Sequence, residues 1–260
     1  MLGSAPMEIA LVPLLTDNYA YLLHDPKSGE TAIVDPSESA PVLEAAAARG
    51  WRLTHILNTH HHPDHSGGNL GIKQATGATV VGPAPDRERI PGIDVALGEG
   101  ERFRLGGAEA EVLFIPGHTK GHIAFHFAGE HAVFCGDTLF SLGCGRMFEG
   151  TPPVMWASLD KLRRLPGETR IFCGHEYTQA NARFAVSIDP GNQALRARER
   201  QVAELRSAGR PTIPSTMAEE RAANPFLRAD NAALAAAIGL PGAPPHEVFG
   251  EIRRRKDSFR

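Results

Sequence analysis

Four histidines and one aspartate lie within six consecutive positions, His60-His61-His62-Pro63-Asp64-His65. In an extended segment, side chains two positions apart point to the same side, so His60 and His62 are expected to converge while His61 points away. Past the turn at the proline, Asp64 and His65 are placed to supply a second, adjacent pair of ligands. Imidazole and carboxylate groups without a thiolate suit zinc, iron or manganese. The segment therefore predicts a metal site.

Three further titratable residues follow predicted apolar strands, each directly after a glycine. Glycine lets the backbone turn sharply and approach closely, and strand ends in α/β sheets are where ligand sites usually gather. Five histidines and two aspartates then make two sites of three ligands, with one carboxylate left to bridge. His122 is left outside this set, as a residue that could orient a ligand. The predicted ligands are His60, His62, Asp64, His65, His118, Asp137 and His175.

Short apolar strands separated by turns, with a few helices, are predicted for the first two thirds of the chain. Strands and helices intermixed in this way favour sheets covered by helices, an α/β layered domain. The predicted strands are Glu8–Leu14, Ala20–His24, Thr31–Asp35, His55–Asn58, Thr79–Gly82, Ala110–Pro116, Ile123–Phe127, His131–Gly136 and Arg170–Gly174. The predicted helices of this part are Pro41–Gly50, Asn69–Thr76 and Val154–Leu165.

Beyond His175 the strand pattern fades and helical patterns dominate. We therefore predict a metal-binding catalytic domain at residues 1–175 and a helical domain at residues 176–260. The predicted helices of the second domain are Gln193–Ser207, Met217–Ala223, Asp230–Ile238 and His246–Lys256.

Composition limits the class of protein. The 260 residues are 42% hydrophobic and 22% charged, which is typical of a globular chain. The apolar runs fall far short of the ~20 residues that span a bilayer, and residues 1–10 lack a signal-peptide pattern. Three cysteines without a CxxC pair argue against a disulfide framework. With a net charge of −3, we expect a cytoplasmic monomer that binds neither nucleic acid nor membranes.

Four motifs resemble those of the metallo-β-lactamase superfamily: THHHPDH at 59–65, GHTKGH at 117–122, CGDTLF at 135–140 and CGHEYT at 173–178. Within the superfamily, the order of motifs is similar to the hydroxyacylglutathione hydrolase (glyoxalase II) family. That resemblance covers essentially the whole chain. It includes GCGR at 143–146, NPFLR at 224–228 and RKD at 255–257.

The resemblance implies an αββα sandwich with a C-terminal helical substrate domain. It also implies two divalent ions per chain, with zinc favoured and iron or manganese as alternatives. Asp64 and Asp137 are implied as catalytic residues, Asp64 because it is placed to orient the hydroxide. The first ion would be held by His60, His62 and His118, the second by Asp64, His65 and His175, and Asp137 would bridge them.

The resemblance also implies which residues contact glutathione. Arg146 stands where a lysine is usual, which keeps the charge, and Phe148 where a tyrosine is usual. Arg253 and Lys256 are three residues apart and so share a helix face, in a terminal segment with five basic and two acidic residues. The implied substrate-binding residues are Arg146, Phe148, Tyr177, Arg253 and Lys256.

The implied reaction is hydrolysis of S-D-lactoylglutathione and related S-2-hydroxyacylglutathiones by a metal-bridging hydroxide. Its products would be D-lactate and glutathione, as in the second step of methylglyoxal detoxification. Two divalent ions, two aspartates and one hydroxide leave a charge of +1, which favours a negatively charged tetrahedral intermediate. The alternatives are another enzyme of the superfamily, such as a persulfide dioxygenase, and a metal-stabilised binding protein without turnover.

Overall fold

The computed structural model describes residues 6–259, and the chain forms two compact units within that range. One comprises residues up to 114 together with 119–136, and the other comprises 115–118 together with the residues from 137 onward. The domain boundary at residue 175 stays a prediction. Residues 1–5 and 260 lie outside the described residues. The first half of residues 1–10, where no signal-peptide pattern is found, and the last residue of the basic terminal segment therefore also lie outside them.

The first unit is an α/β structure with ten strands among its described residues. Its strands are β1 Glu8–Leu14, β2 Asn18–His24, β3 Thr31–Val34, β4 Leu53–Leu57, β5 Thr79–Pro83, β6 Val95–Leu97, β7 Arg102–Leu105, β8 Ala108–Phe114, β9 Ile123–Phe127 and β10 Ala132–Gly136. Its α-helices are α1 Ser39–Ala47, α2 Pro63–Ser66 and α3 Asn69–Thr76, and its 3₁₀ turns are Ala84–Arg89 and Ala128–Glu130.

A mixed sheet in the order β1 to β6 forms the centre of this unit. β1, β2 and β3 pair antiparallel, whereas β3, β4, β5 and β6 pair parallel. Strands buried on both faces need continuous apolar sequences, and Ile33, Ile56 and Val80 are fully buried. Val42 of α1 and Ile72 of α3 pack into the same core, so helices cover one face of the sheet.

A second sheet within the unit pairs β7, β8, β9 and β10 antiparallel, in that order. It faces the first sheet, because the rings of Tyr21 and Phe134 lie 5.6 Å apart and those of His55 and Phe103 lie 5.2 Å apart. Helix, sheet and sheet therefore stack in layers, as the alternation of elements predicts.

The second unit is largely helical. Its helices are α4 Pro152–Arg163, α5 Thr178–Ile188, α6 Gln193–Ser207, α7 Met217–Ala223, α8 Ala232–Ala237 and α9 Pro245–Ser258, with a 3₁₀ turn at Pro225–Leu227. Its strands form two antiparallel pairs, β11 Leu139–Phe140 with β12 Gly143–Cys144, and β13 Arg170–Cys173 with β14 Ser215–Thr216. No helix within residues 6–259 is both long and apolar enough to cross a bilayer.

The predicted elements are found with ends shifted by a few residues, but some elements were missed. Helix α5 was not predicted. Its N-cap residue is Tyr177, which makes no side-chain cap hydrogen bond, whereas Ser, Thr, Asp and Asn are the usual residues at that position. Its buried face, which includes Ala182, Phe184 and Ala185, shows the helical spacing in retrospect. The short edge strands β6 and β7 were also missed.

Replacing Ile56 by alanine should lower the free energy of unfolding by about 2–5 kcal/mol, because the cavity would lie in the core beneath α1 and α3. The matched control is Leu70→Ala, at a side chain that is 58% exposed, which should cost less than about 0.5 kcal/mol. Urea denaturation followed by circular dichroism measures both. A loss for Ile56→Ala as small as that of the control would contradict the packing of β4.

Candidate metal centre

The histidine-rich segment begins where β4 ends at Leu57. The backbone N–H of Asn58 donates to the carbonyl of Val81 in the neighbouring strand (2.8 Å), and its side-chain amide donates to the carbonyl of His65 (2.9 Å). Pro63 then starts the single turn of α2, a position where proline's fixed φ suits a helix. The strand end and the helical turn thus hold the whole segment in one conformation.

His60 and His62 converge, as their spacing predicts. His60 Nε2 and His62 Nδ1 lie 3.1 Å apart, close to the distance of about 3.3 Å expected for two imidazole nitrogens bound to one tetrahedral zinc at 2.0–2.1 Å. His61 instead lies against Asp86, with Nδ1 and Oδ2 2.9 Å apart. The pair therefore fits as ligands of a common ion.

Asp64 and His65 form a second adjacent pair on α2, with Asp64 Oδ2 3.4 Å from His65 Nε2. The side-chain amide of Asn18 donates to both the backbone carbonyl (2.9 Å) and the carboxylate (3.2 Å) of Asp64. Ser37 also donates its hydroxyl proton to that carbonyl. These contacts fix both the backbone and the carboxylate of Asp64.

Asp35 is a buried residue that the sequence analysis missed. Its carboxylate accepts hydrogen bonds from the backbone N–H (2.7 Å) and the hydroxyl (2.6 Å) of Thr59, and lies 3.3 Å from His65 Nδ1. The Thr59 hydroxyl is in turn 3.0 Å from His60 Nδ1. The rings of His60 and His65 therefore both have Nδ1 engaged on the side of Asp35, which leaves Nε2 on the opposite side of each ring. Carboxylates commonly orient metal-binding histidines in this way.

A signal for Asp35 was present in the sequence. It follows the apolar strand β3 directly, just as Asp137 follows β10. The backbone of Asp35 has φ of 51°, in the left-handed region that aspartate tolerates better than most residues.

His122 stacks on His60, with ring centroids 4.6 Å apart and an angle of 15° between the planes. The role considered for it, orienting a ligand, is consistent with this contact. Gly136 lies against both groups: a Cβ there would be 2.2 Å from the Thr59 hydroxyl and 2.9 Å from the His122 ring. Its φ of 46° and this close approach both require glycine.

The second unit brings together His118, Asp137 and His175, each less than 7% exposed. Asp137 Oδ2 lies 3.5 Å from His118 Nε2 and 3.3 Å from His175 Nε2. His118 Nδ1 is 2.8 Å from the carbonyl of Arg146, so its ring too presents Nε2 to the carboxylate. A carboxylate between two imidazoles suits the bridging position implied for Asp137.

Two of the implied substrate-binding residues are aromatic side chains beside these histidines. The ring of Tyr177 stacks on His175 at 4.6 Å, with only 3° between the planes. Phe148 lies edge-on to His118 at 5.3 Å and is 63% exposed. Both rings can contact a molecule that reaches these histidines.

The two arginines that are implied to contact the substrate have different environments. Arg253 is 5% exposed and donates to the carbonyl of Cys144 and to the carboxylate of Asp257, both at 2.9 Å. Arg146 is largely exposed, with its Nε 3.9 Å from Asp257. Arg253 thus holds the backbone of the β12 segment, whereas Arg146 is accessible to a ligand.

Lys256 lies between two aromatic rings, with its ammonium 5.3 Å from the centre of Phe184 and 5.8 Å from that of Phe259. Burial lowers the pKa of Lys256 to about 8, and the positive charges of Arg253, Arg183 and Arg146 act in the same direction. Arg183 was not predicted as part of this group. Cations gathered at one place provide a field that attracts anions.

Residues 15–175 match the family model for the metallo-β-lactamase superfamily, and residues 176–259 match that for the hydroxyacylglutathione hydrolase C-terminus. The chain is 64% identical over 254 residues to a hydroxyacylglutathione hydrolase of Methylococcus capsulatus, covering 98% of this chain and 99% of that relative.

Two solved structures support the fold. ETHE1 from Myxococcus xanthus is 25% identical with a TM-score of 0.67, covering 96% of this chain and 90% of that one. TTHA1623, in a di-iron-bound form, is 26% identical with a TM-score of 0.59, covering 84% of this chain and 99% of that one.

The chain therefore has the α/β fold of the metallo-β-lactamase superfamily, with a helical C-terminal region, as predicted. It belongs to the hydroxyacylglutathione hydrolase family. Its histidine and aspartate groups suit a divalent metal ion, because their donor atoms are imidazole nitrogens and carboxylate oxygens held by hydrogen bonds behind them.

Replacing Asp35 by asparagine should weaken zinc binding by roughly 10–100-fold, because an amide N–H would face the donors of Thr59 and His65. The control is Asp94→Asn. The carboxylate of Asp94 also accepts a hydrogen bond from a strand N–H, that of Val80 at 2.8 Å, but Asp94 lies outside the predicted ligand set. Competition with a chromogenic chelator measures the affinity of both metal-free variants. Equal affinities for the two would show that Asp35 has no part in the centre.

Proposed function

We propose that this chain hydrolyses S-D-lactoylglutathione and related S-2-hydroxyacylglutathiones to the free hydroxy acid and glutathione. The observation that carries the proposal is the match of 98% of the chain, including residues 176–259, to hydroxyacylglutathione hydrolases. The metal-binding groups alone specify only the superfamily, whereas the C-terminal region specifies the thioesterase.

The proposal includes two divalent ions. Support comes from the donor sets, since paired donors before α2, on α2 and around Asp137 lie 3.1–3.5 Å apart, and from the di-iron form of TTHA1623. Zinc is favoured, and iron or manganese would accept the same ligands. One ion would be bound by His60, His62 and His118, the other by Asp64, His65 and His175, with Asp137 between them.

Divalent ions bound to these groups would supply Lewis acidity and lower the pKa of bound water toward ~7. Asp64, whose carboxylate is fixed by Asn18, would orient the attacking water. The leaving group is a thiolate whose conjugate acid has a pKa near ~8.5, so it departs without a general acid. Tyr177 and Phe148, beside His175 and His118, would contact the glutathione thioester.

The two carboxylates of glutathione need positive charge, which the second unit offers. Arg146 is exposed and would bind a carboxylate with its planar guanidinium. Lys256 would add charge from α9. Arg253 would act mainly through the backbone of Cys144, which it holds, and through its own charge.

The cysteines and the net charge bear on where the protein acts and what it binds. The three cysteines form no disulfide bond, which is usual for a protein of the reducing cytoplasm. A negative net charge is unfavourable for binding nucleic acid or anionic membranes. We therefore propose a cytoplasmic monomer whose partner is a small glutathione thioester.

The direct test is hydrolysis of S-D-lactoylglutathione by purified, metal-analysed protein. We expect a rate abolished by EDTA and restored by zinc, with kcat/KM of about 10⁴ M⁻¹s⁻¹ or more, and two ions per chain. Oxygen uptake with glutathione persulfide is the parallel assay for a dioxygenase. Protein that carries both ions and does not cleave the thioester would refute the proposed substrate.

In the same activity assay and metal analysis, the Asp137→Ala variant should lose most of both its activity and its bound metal.

The charge of Lys256 gives a pH dependence. Because its pKa is lowered to about 8, the ammonium loses its proton as the pH rises through that value, and its attraction for a substrate carboxylate is lost. KM should therefore rise by up to about tenfold between pH 7 and 9, as expected when a hydrogen bond to a charged group is lost. Initial rates at fixed metal loading measure it.

The matched variants are Lys256→Arg, which stays charged and should keep KM nearly constant, and Lys27→Arg, at an exposed position in the first unit, which should behave as wild type. A KM that rises equally in Lys256→Arg would exclude Lys256 as the titrating group.

A further inference from the structure

The β11–β12 hairpin is a short connection whose polar groups are satisfied by the helical region. It turns at Ser141 and Leu142, and Leu142 has φ of 57°, an uncommon conformation for a residue other than glycine. The backbone N–H of Leu142 and the hydroxyl of Ser141 both donate to the carboxylate of Glu220, each at 2.8 Å. Glu220 lies 78 residues further along the chain, on α7.

Other side chains of the helical region hold the same turn. The amide of Asn224 donates to the carbonyls of Phe140 (3.1 Å) and Gly143 (3.0 Å), and to Glu220 (3.0 Å). The amide of Asn181 donates to the carbonyl of Ser141 (3.1 Å). Glu220 and Asn224 are both completely buried. The turn is therefore fixed by a buried polar network rather than by its own two-residue strands.

The two ends of the hairpin lead into the candidate metal centre. Asp137 precedes β11 by two residues, and Arg146, whose carbonyl lies 2.8 Å from His118 Nδ1, follows β12 by two residues. Gly145 links the two ends of the hairpin, since its N–H donates to the backbone carbonyl of Thr138 (3.2 Å). The two segments pass so closely that a Cβ on Gly145 would lie 1.9 Å from the carbonyl oxygen of Asp137. A shift of the turn would consequently move both Asp137 and the group that orients His118.

We infer that Glu220 is a positioning residue for the metal centre: by holding the hairpin turn, it sets where Asp137 and the carbonyl of Arg146 stand. The helical region then contributes to metal binding as well as to substrate binding. The inference rests on the proposed function only in taking Asp137 and His118 as metal ligands.

The charge of Glu220 suits this role. Burial raises the pKa of its carboxyl group, whereas the hydrogen bonds from Leu142, Ser141 and Asn224 favour the ionised form. An ionised carboxylate accepts from all these donors at once. Glutamine has the same shape but places an N–H donor against one of them, which leaves a buried polar group unsatisfied.

The test compares Glu220→Gln with Glu219→Gln. Glu219 precedes Glu220 on α7 and accepts hydrogen bonds from the backbone N–H (2.7 Å) and hydroxyl (3.0 Å) of Thr216, in a capping box away from the hairpin. Chelator competition with metal-free protein gives the zinc affinity, and thermal unfolding of the same samples gives the stability.

We expect Glu220→Gln to weaken zinc binding by roughly 10–100-fold, the usual effect of losing a partner behind a ligand. Glu219→Gln should lower the melting temperature and leave zinc affinity unchanged. Ser141→Ala, which removes one of the two donors of the turn, should give a smaller loss of affinity and decides the matter if Glu220→Gln does not fold. In thioester hydrolysis, both Glu220→Gln and Ser141→Ala should lower kcat by a larger factor than they raise KM.

Wild-type zinc affinity in folded Glu220→Gln, or in Ser141→Ala when Glu220→Gln does not fold, would overturn the inference. An equal loss of affinity in Glu219→Gln would do so as well, because it would show an effect of general stability. Zinc affinity is measured without any substrate, so failure of thioester hydrolysis would refute the proposed function and leave this result intact.

Discussion

A buried imidazole presents one ring nitrogen to a metal ion reliably only when the other nitrogen has a fixed partner, and much of this structure serves that constraint. His60 has the Thr59 hydroxyl behind it, and His65 has the carboxylate of Asp35. His118 has the backbone carbonyl of Arg146. In each case the partner belongs to the end of a strand or to the segment after one, so the direction of the ring depends on how the strands are placed.

Strand register determines one of these partnerships. β3 and β4 pair in parallel with Val34 opposite Leu57, and the N–H of Asp35 donates to the carbonyl of Leu57 at 2.9 Å. The next residues of the two strands therefore emerge side by side, which brings the Asp35 carboxylate to Thr59. A slip of one residue would turn each side chain to the opposite face of the sheet. The apolar core that α1 and α3 cover fixes this register, and it thereby also fixes the contact between Asp35 and Thr59.

Local patterns in the sequence carried much of this information. Alternate spacing in an extended segment was enough to predict that His60 and His62 converge while His61 turns away. The hydrogen-bond partners that hold these candidate ligands and the hairpin were harder to predict, because they are distant in sequence: Asp35 contacts His65 across 30 residues, and Glu220 contacts Ser141 across 79. A glutamate on a helix carries no local sign that it is buried, whereas a histidine cluster is visible from spacing alone.

The network around the β11–β12 hairpin has a consequence for how the family can diverge. Asn181, Glu220 and Asn224 are encoded far from Ser141 and Leu142, yet each forms hydrogen bonds with the hairpin that contains them. This C-terminal region, joined to another superfamily member that lacks the turn, would leave buried amides and a buried carboxylate short of hydrogen-bond partners. Recombination between relatives is therefore expected to exchange both segments together, and chimaeras that join them at residue 175 alone should be selected against.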